Sequence, residues 1–209
     1  MKKLAVTGNI ACGKNLVGSY LKELSCPVLD SDLIVHELLA EKNKITDKLV
    51  QITNPDSIVS ENWKLDSNIS YIDRKALGSL LFKDKILKKK VEAIVHPACF
   101  KMIDEFFAKE AAEGHKVAAN LIPLLYETAT EKNYDEVWLV VCNKELQLER
   151  LKHRNPELRE EHLLERINSQ LSQEEKLKKA DFVIDNTGSR ESTKEQVIIG
   201  WRKLINKIV

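Results

Sequence analysis

The chain has almost no excess charge of either sign. Its 33 basic and 32 acidic residues leave a formal net charge of +1. That is too little to build the global field that draws a protein onto nucleic acid or anionic lipid, so any basic patch is local. It also lacks a C-x-x-C pair. Cys12, Cys26, Cys99 and Cys142 are far apart in the sequence, which argues against zinc or a dithiol redox motif and predicts reduced thiols in a cytoplasmic setting. Missing too is any apolar run near the roughly 20 residues of a membrane span. Met1-Lys2-Lys3, the apolar stretch behind it and Cys12 imitate a lipoprotein signal, but Thr7, Gly8 and Asn9 break the run. Internal repeats and low-complexity tracts are absent. Together these absences predict a soluble protein with no nucleic-acid or membrane partner, a monomer or small homo-oligomer.

What is present is alternation. The short apolar runs Leu4–Thr7, Pro27–Leu29, Val117–Ile122, Val137–Cys142 and Phe182–Ile184 read as five buried strands separated by helical patterns. That order predicts an α/β fold, a five-stranded parallel sheet with helices on both faces. The 209 residues suit one domain. The connection between the second and third strands is too long for a simple crossover, and residues 33–113 carry amphipathic patterns at Lys75–Phe82, Ile86–Ile94 and Phe100–Ala112, so a helical insert is expected there. Asn54-Pro55 and the serines of Thr53–Ser70 predict a loop or hinge. Further on, two charged helices flank a break at Asn155-Pro156, Ser172 reads as an N-cap, and a last helix is expected from Glu191 to Ile208.

The most informative stretch is Gly8-Asn9-Ile10-Ala11-Cys12-Gly13-Lys14-Asn15, directly behind the first strand and ahead of a helical pattern. It fits the phosphate-binding loop signature except at its last position. The glycine-rich backbone turns consecutive N–H groups inward, the next helix offers its N-terminus to an anion, and Lys14 supplies a cation for the outer phosphates. Where the signature has Ser or Thr to ligate Mg²⁺, this chain has Asn15 and then Leu16. The predicted nucleotide contacts are Ala11, Cys12, Gly13, Lys14, Asn15 and Leu16, with Asn15 a weak metal ligand through its amide oxygen.

Asp32 follows the second strand in Leu29-Asp30-Ser31-Asp32, at the strand end where open parallel sheets bind ligands. A carboxylate there can orient an attacking hydroxyl and accept its proton. The alternative is that Asp30 and Asp32 cap a helix starting near Leu33; Asp32 is read as the functional carboxylate and Asp30 as the structural one. Arg150, Arg154 and Arg159 straddle the Asn155-Pro156 break, with Arg166 beyond. They predict a lid over residues 150–172 that brings guanidinium groups to phosphates. The alternative is a solvated face on which Glu149, Glu157, Glu160 and Glu161 pair them.

Six ordered blocks resemble the dephospho-CoA kinase family. They are Val6–Lys14, Val28–Asp32, Asp73–Gly78, Ile94-Val95-His96-Pro97, Ile122–Glu127 and the terminal group Arg166–Gln170, Glu174–Lys176, Ala180-Asp181 and Val183–Gly188. The resemblance implies a P-loop kinase fold with a CoA-binding insert and a lid. It implies transfer of the γ-phosphate of ATP, with Mg²⁺, to the ribose 3′-hydroxyl of dephospho-CoA, the final step of coenzyme A biosynthesis. On this resemblance Lys14 holds phosphates, Asp32 is the base, Arg150 and Arg154 neutralise transferring charge, and Asn186 lies beside the adenine. Arg74 and His96 join Asp32 near the acceptor, although His96 beside Pro97 also reads as a packing residue at a helix end. Both hydroxyl positions after Lys14 are replaced, and Leu121 stands two residues before Pro123 where many members carry an acid. Those departures keep two alternatives in view: a non-catalytic nucleotide-binding protein with a degenerate loop, and a P-loop kinase for another small hydroxyl acceptor.

Overall fold

The computed structural model describes residues 1–61 and 70–208. The chain folds as two compact units, one of residues 1–30 and 106–209, the other of residues 31–105.

The first unit is built on a parallel sheet. Its strands are β1 (Lys2–Gly8), β2 (Val28–Asp30), β3 (Val117–Leu121), β4 (Glu136–Val141) and β5 (Phe182–Asp185), in the spatial order β2-β3-β1-β4-β5. Every ladder is parallel, with Leu4 opposite both Ala119 and Glu136. Alternate residues of a strand face opposite ways, and here both faces are apolar. Leu4, Val6, Trp138 and Val140 join Val17 and Leu21 of α1 (Lys14–Glu23) and Val197 and Leu204 of α10 (Arg190–Asn206). Ala5 and Val137, on the other side, pack with Leu125, Tyr126 and Leu171. Burial on both faces is why these strands read as continuous apolar runs. The close approach of α1 to the sheet needs Gly18, since a Cβ there would stand 2.6 Å from Leu121 Cδ1.

Chain direction positions the site. From central β1 the chain passes to β2 on one side, and after β3 it continues to β4 and β5 on the other. The carboxyl end of β1 is therefore the switch point at which ligands of open parallel sheets bind.

The second unit is helical. It comprises α2 (Ser31–Ala40), α3 (Lys44–Ile52), α4 (Pro55–Ile58), α5 (Arg74–Lys83) and the first part of α6 (Lys85–Ala112). Leu39, Leu49, Ile58, Tyr71, Ile72, Leu77, Val91 and Val95 form its core. Asn43 and Thr46 make a reciprocal capping box at α3. Two expectations are corrected here. The Asn54-Pro55 pair opens a helical turn: Asn54 accepts from the Asp56 amide at 3.2 Å and Pro55 sits where its missing N–H costs nothing. The loop predicted over Thr53–Ser70 is thus partly helical, and its residues 62–69 lie outside the described residues. The two patterns 86–94 and 100–112 are one helix of 28 residues, α6, with Pro97 inside it. Proline removes one helical hydrogen bond, and buried Val91 and Val95 anchor the stretch just before it.

The remaining helices belong to the first unit: α7 (Lys144–Arg154), α8 (Glu160–Asn168) and α9 (Gln173–Leu177). Ser172 caps α9 through a capping box with Glu175. Leu151 of α7 and Leu163 and Ile167 of α8 bury against Ala11, which sets these helices beside the loop that follows β1.

Candidate active site

Residues 9–13 turn the chain from β1 into α1. Cys12 N–H bonds the Asn9 carbonyl at 3.1 Å. Ala11 has φ 63°, and Gly13, the N-cap of α1, has φ 102°. Left-handed backbone at a non-glycine residue is costly and persists where the surroundings enforce it. The surroundings here are a set of long-range straps. Gln147 Nε2 donates to the Ile10 carbonyl at 2.7 Å, and Asn186 Nδ2 donates to the Cys12 carbonyl at 2.7 Å. Arg150 reaches the carbonyls of Ala11 at 3.4 Å and Asn186 at 3.1 Å. Ile10 N–H bonds Gln170 Oε1 at 2.7 Å. Because C=O and N–H point opposite ways in a planar trans peptide, holding the Ile10 and Cys12 carbonyls toward the protein turns the Ala11 and Gly13 amides away from it. That is how a loop becomes an anion cradle. Gly13 has no alternative residue, because a Cβ there would collide with the Asn186 amide.

Asn186 is itself fixed. It is buried, and Thr193 Oγ1 donates to its Oδ1 at 2.9 Å. Its side chain therefore acts on the loop, and it also lines a cavity of about 340 Å³ together with Ala11, Gly13, Arg150, Arg154 and Arg190. Three guanidinium groups at a pocket floored by turned amides suit a polyanion.

Lys14 is buried, with its Nζ 3.8 Å from Asp30 Oδ1. Asn15 Nδ2 donates to the other Asp30 oxygen at 3.3 Å. Asp30 thus meets the loop directly, a contact that the capping role given it from the sequence does not include, and α2 begins at Ser31 rather than Leu33. Leu16 also lines the cavity. Asp32 is exposed in the first turn of α2.

Other expected residues are placed elsewhere. Arg74 is exposed at the start of α5, whose N-cap Asp73 accepts from Lys75 and Ala76 amides at 2.8 and 3.0 Å. His96 is exposed within α6, not at a helix end, and stacks edge-on to Phe100 at 6.1 Å. Arg159 contacts His162, and Arg166 donates to Asn155 Oδ1 at 3.4 Å. Lys152 rather than an arginine pairs Glu160, at 2.6 Å. Gln147, Arg190 and Thr193 escaped the sequence reading, since nothing in local spacing connects them to residues 10–13.

A family model described as dephospho-CoA kinase matches residues 3–192. The dephospho-CoA kinase of Symbiobacterium thermophilum is 36% identical over 202 residues, 97% of this chain and 81% of that relative. The one from Aquifex aeolicus is 36% identical over 197 residues, 94% of each. The chain belongs to the dephospho-CoA kinase family. Among solved structures, the dephospho-CoA kinase from Campylobacter jejuni superposes with a TM-score of 0.72 at 29% identity, covering 99% of this chain and 98% of that one. A shikimate kinase from Acinetobacter baumannii shares the fold alone, with a TM-score of 0.51 at 17% identity over 99% and 94% of the two chains. As a dephospho-CoA kinase, the protein is an α/β phosphotransferase that uses ATP. Among its described residues, no helix is long and apolar enough to cross a membrane.

Proposed function

We propose that the strapped loop and its cavity hold ATP, and that the enzyme transfers the γ-phosphate to the ribose 3′-hydroxyl of dephospho-CoA, giving coenzyme A. The observation that carries this reading is the convergence of Asn186 and Arg150 on the carbonyls of residues 11 and 12, which preorganises the amides of an anion cradle in a chain of this family. Phosphoryl transfer asks the protein for positioning and charge neutralisation more than for covalent chemistry. The amides of residues 11–16 and Lys14 take the phosphates, Asn186 borders the nucleoside end, and Arg150 and Arg154 offset charge on the transferring group. Asp32 orients the acceptor hydroxyl and takes its proton as the bond to phosphorus forms. Residues 33–113, Arg74 and His96 among them, receive the CoA precursor, and residues 150–172 act as the lid.

Asn15 and Asp30 offer only oxygen donors to a cation beside Lys14, and they lie in mutual contact. That set fits Mg²⁺, a hard ion that keeps several waters and leans on substrate phosphates. Held there by the Asn15 amide oxygen and the Asp30 carboxylate, Mg²⁺ would supply positive charge against the charge that develops on the transferring phosphoryl group. The test is incubation of the purified chain with ATP, Mg²⁺ and dephospho-CoA, with CoA and ADP read by mass against an acceptor-free control. Stoichiometric CoA supports the reading, and binding of both ligands without product refutes it. Nucleoside monophosphates in place of dephospho-CoA should give no transfer.

A further inference from the structure

The cysteines that are scattered in the sequence are not scattered in the fold. Cys12 Sγ and Cys142 Sγ lie 3.4 Å apart, joined by a hydrogen bond across 130 residues of chain. Cys142 immediately follows β4, and Cys12 is in the strapped loop. Gln173 fixes the pair from one side. Its Oε1 accepts the Cys142 N–H at 3.1 Å and lies 3.7 Å from Cys12 Sγ, while its Nε2 donates to the Cys142 carbonyl at 2.9 Å. Asn186 holds the Cys12 carbonyl from the other side. We propose that Cys12 and Cys142 form a reversible disulfide under hydroperoxide, and that this bond shuts the nucleotide site by displacing the phosphate loop.

The sulfurs need to approach by about 1.4 Å to reach bonding distance, within reach of side-chain rotation and a small loop shift. The hydrogen bond with Cys12 and the positive charge of Arg150 hold the Cys142 thiol below its ordinary value against the effect of burial, so Cys142 is the sulfur that supplies thiolate. Its thiolate attacks one oxygen of hydrogen peroxide. The S–O bond forms, the O–O bond breaks, and hydroxide leaves and takes up the proton Cys142 had released. Cys12 then attacks the sulfenic sulfur, the S–S bond forms, the S–O bond breaks, and the departing hydroxide leaves as water with the Cys12 proton. Two thiols and one peroxide become one disulfide and two waters.

Both thiols are buried, which admits a small neutral oxidant and excludes a bulky disulfide. The residues flanking Cys12, Ala11 and Gly13, line the 340 Å³ cavity, so ATP in the cavity covers the approach. Movement of Cys12 transmits to the phosphate amides because its neighbour Ala11 is held in the costly left-handed region and its own carbonyl, in the same peptide as the Gly13 amide, is clamped by Asn186. Cys26 differs: burial pushes its thiol up to about 12, which keeps it protonated and unreactive.

The activity part rests on residues 8–15 being the ATP site, whereas the cross-link does not. Fully reduced protein is treated with hydrogen peroxide, with and without ATP, then alkylated, digested without reductant and mapped by mass. In parallel, CoA formation and ATP affinity are measured before and after dithiothreitol. The expected result is a Cys12–Cys142 cross-linked peptide lacking two hydrogens, at least about a tenfold loss of activity and ATP affinity, recovery with dithiothreitol, and protection by ATP. Cys142→Ser, and Cys142→Ala as a second variant, should match untreated wild-type melting and activity and then keep that activity through peroxide. Absence of the cross-link, a cross-link with ATP affinity and turnover unchanged, or equal peroxide sensitivity in the Cys142 variants would each overturn the proposal. A protein that shows the cross-link and loses ATP affinity but never makes CoA would instead count against the assigned reaction and leave the disulfide standing.

Discussion

The side-chain amide of Asn186 donates to the Cys12 carbonyl at 2.7 Å, tying the loop after the last strand to the phosphate loop across 174 residues of chain. Replacing Asn186 by Ala removes that donor and one of the two acceptors of the Thr193 hydroxyl, which keeps the Ser189 carbonyl at 3.1 Å. Losing a buried hydrogen bond costs about 1–3 kcal/mol. If the bond shapes the loop for phosphate, ATP affinity should weaken by about 5- to 150-fold. Calorimetric titration with ATP measures this directly, and an unchanged Kd in a normally folded variant would show that the loop holds its form without the clamp.

The straps also mark what a linear reading can reach. The three central strands were legible because Leu4–Val6, Val117–Leu121 and Val137–Val140 are buried on both faces, which writes a largely apolar run into the sequence, whereas the outer β2 and β5 are only half-buried and shorter. The loop was legible because Gly13 must take φ 102° with a side chain pressed against it. Gln147, Arg190 and Thr193 carry no such local mark; their partners lie far along the chain and only the topology unites them. Asp30 could be read as a cap from its neighbours, while its approach to Lys14 and Asn15 depends on how β2 is brought back beside β3 in the sheet. Pro97 misled for the reverse reason: its local rule is strong, but it removes one bond from a helix of 28 residues.

Asp32 is assigned the acceptor proton. Asp32→Asn keeps the side-chain shape and a hydrogen-bonding oxygen but has no basic carboxylate. ATP binding should be unchanged, while kcat for CoA formation falls by about 10²- to 10⁴-fold, the usual contribution of a positioned general base. Single-turnover kinetics with saturating ATP separates chemistry from binding, and near-wild-type turnover would take the role away from Asp32.

Asn15 stands where a hydroxyl ligand of Mg²⁺ is usual, and its amide lies 3.3 Å from Asp30. Asn15→Ser supplies that hydroxyl and removes the amide that donates to Asp30. The half-saturating Mg²⁺ concentration should drop, or turnover should rise, by several-fold at limiting metal, consistent with one added oxygen ligand on a largely hydrated ion. A superimposable Mg²⁺ titration would show that position 15 does not face the metal.

Cys26 makes stability depend on alkaline pH. Burial is the main cause of its rise from 9.0 to about 12, with the Glu110 charge adding to it and a backbone hydrogen bond from Ala119 opposing it. The folded state keeps the proton that the unfolded chain releases. The contribution is therefore complete below pH 9 and declines as pH rises toward 12, about 4 kcal/mol in all and about 2 kcal/mol by pH 10.5. Urea unfolding of wild type and Cys26→Ala from pH 8 to 10.5 should show their stability difference narrowing by that amount. Parallel pH profiles would assign the alkaline slope to other groups.

Lys176 is fully buried, and its Nζ lies 2.8 Å from Glu127 Oε1, which also accepts the Leu171 N–H at 3.0 Å. The pair joins α9 to the segment after β3 that covers one face of the sheet. Taking charges out of water is expensive, so the pair as a whole adds little, but removing one partner leaves the other uncompensated. Lys176→Ala should cost about 3–5 kcal/mol, lowering Tm by about 6–20 °C in a chain of this size. The double variant Lys176→Met with Glu127→Gln removes both charges and retains much of the volume, so it should regain most of that loss. Thermal melts of the two variants, with the Glu127→Gln single completing the cycle, measure the coupling. A Lys176→Ala protein within about 1 kcal/mol of wild type would mean that water reaches Glu127 once the lysine is gone, so that the carboxylate is not held in a dry interior.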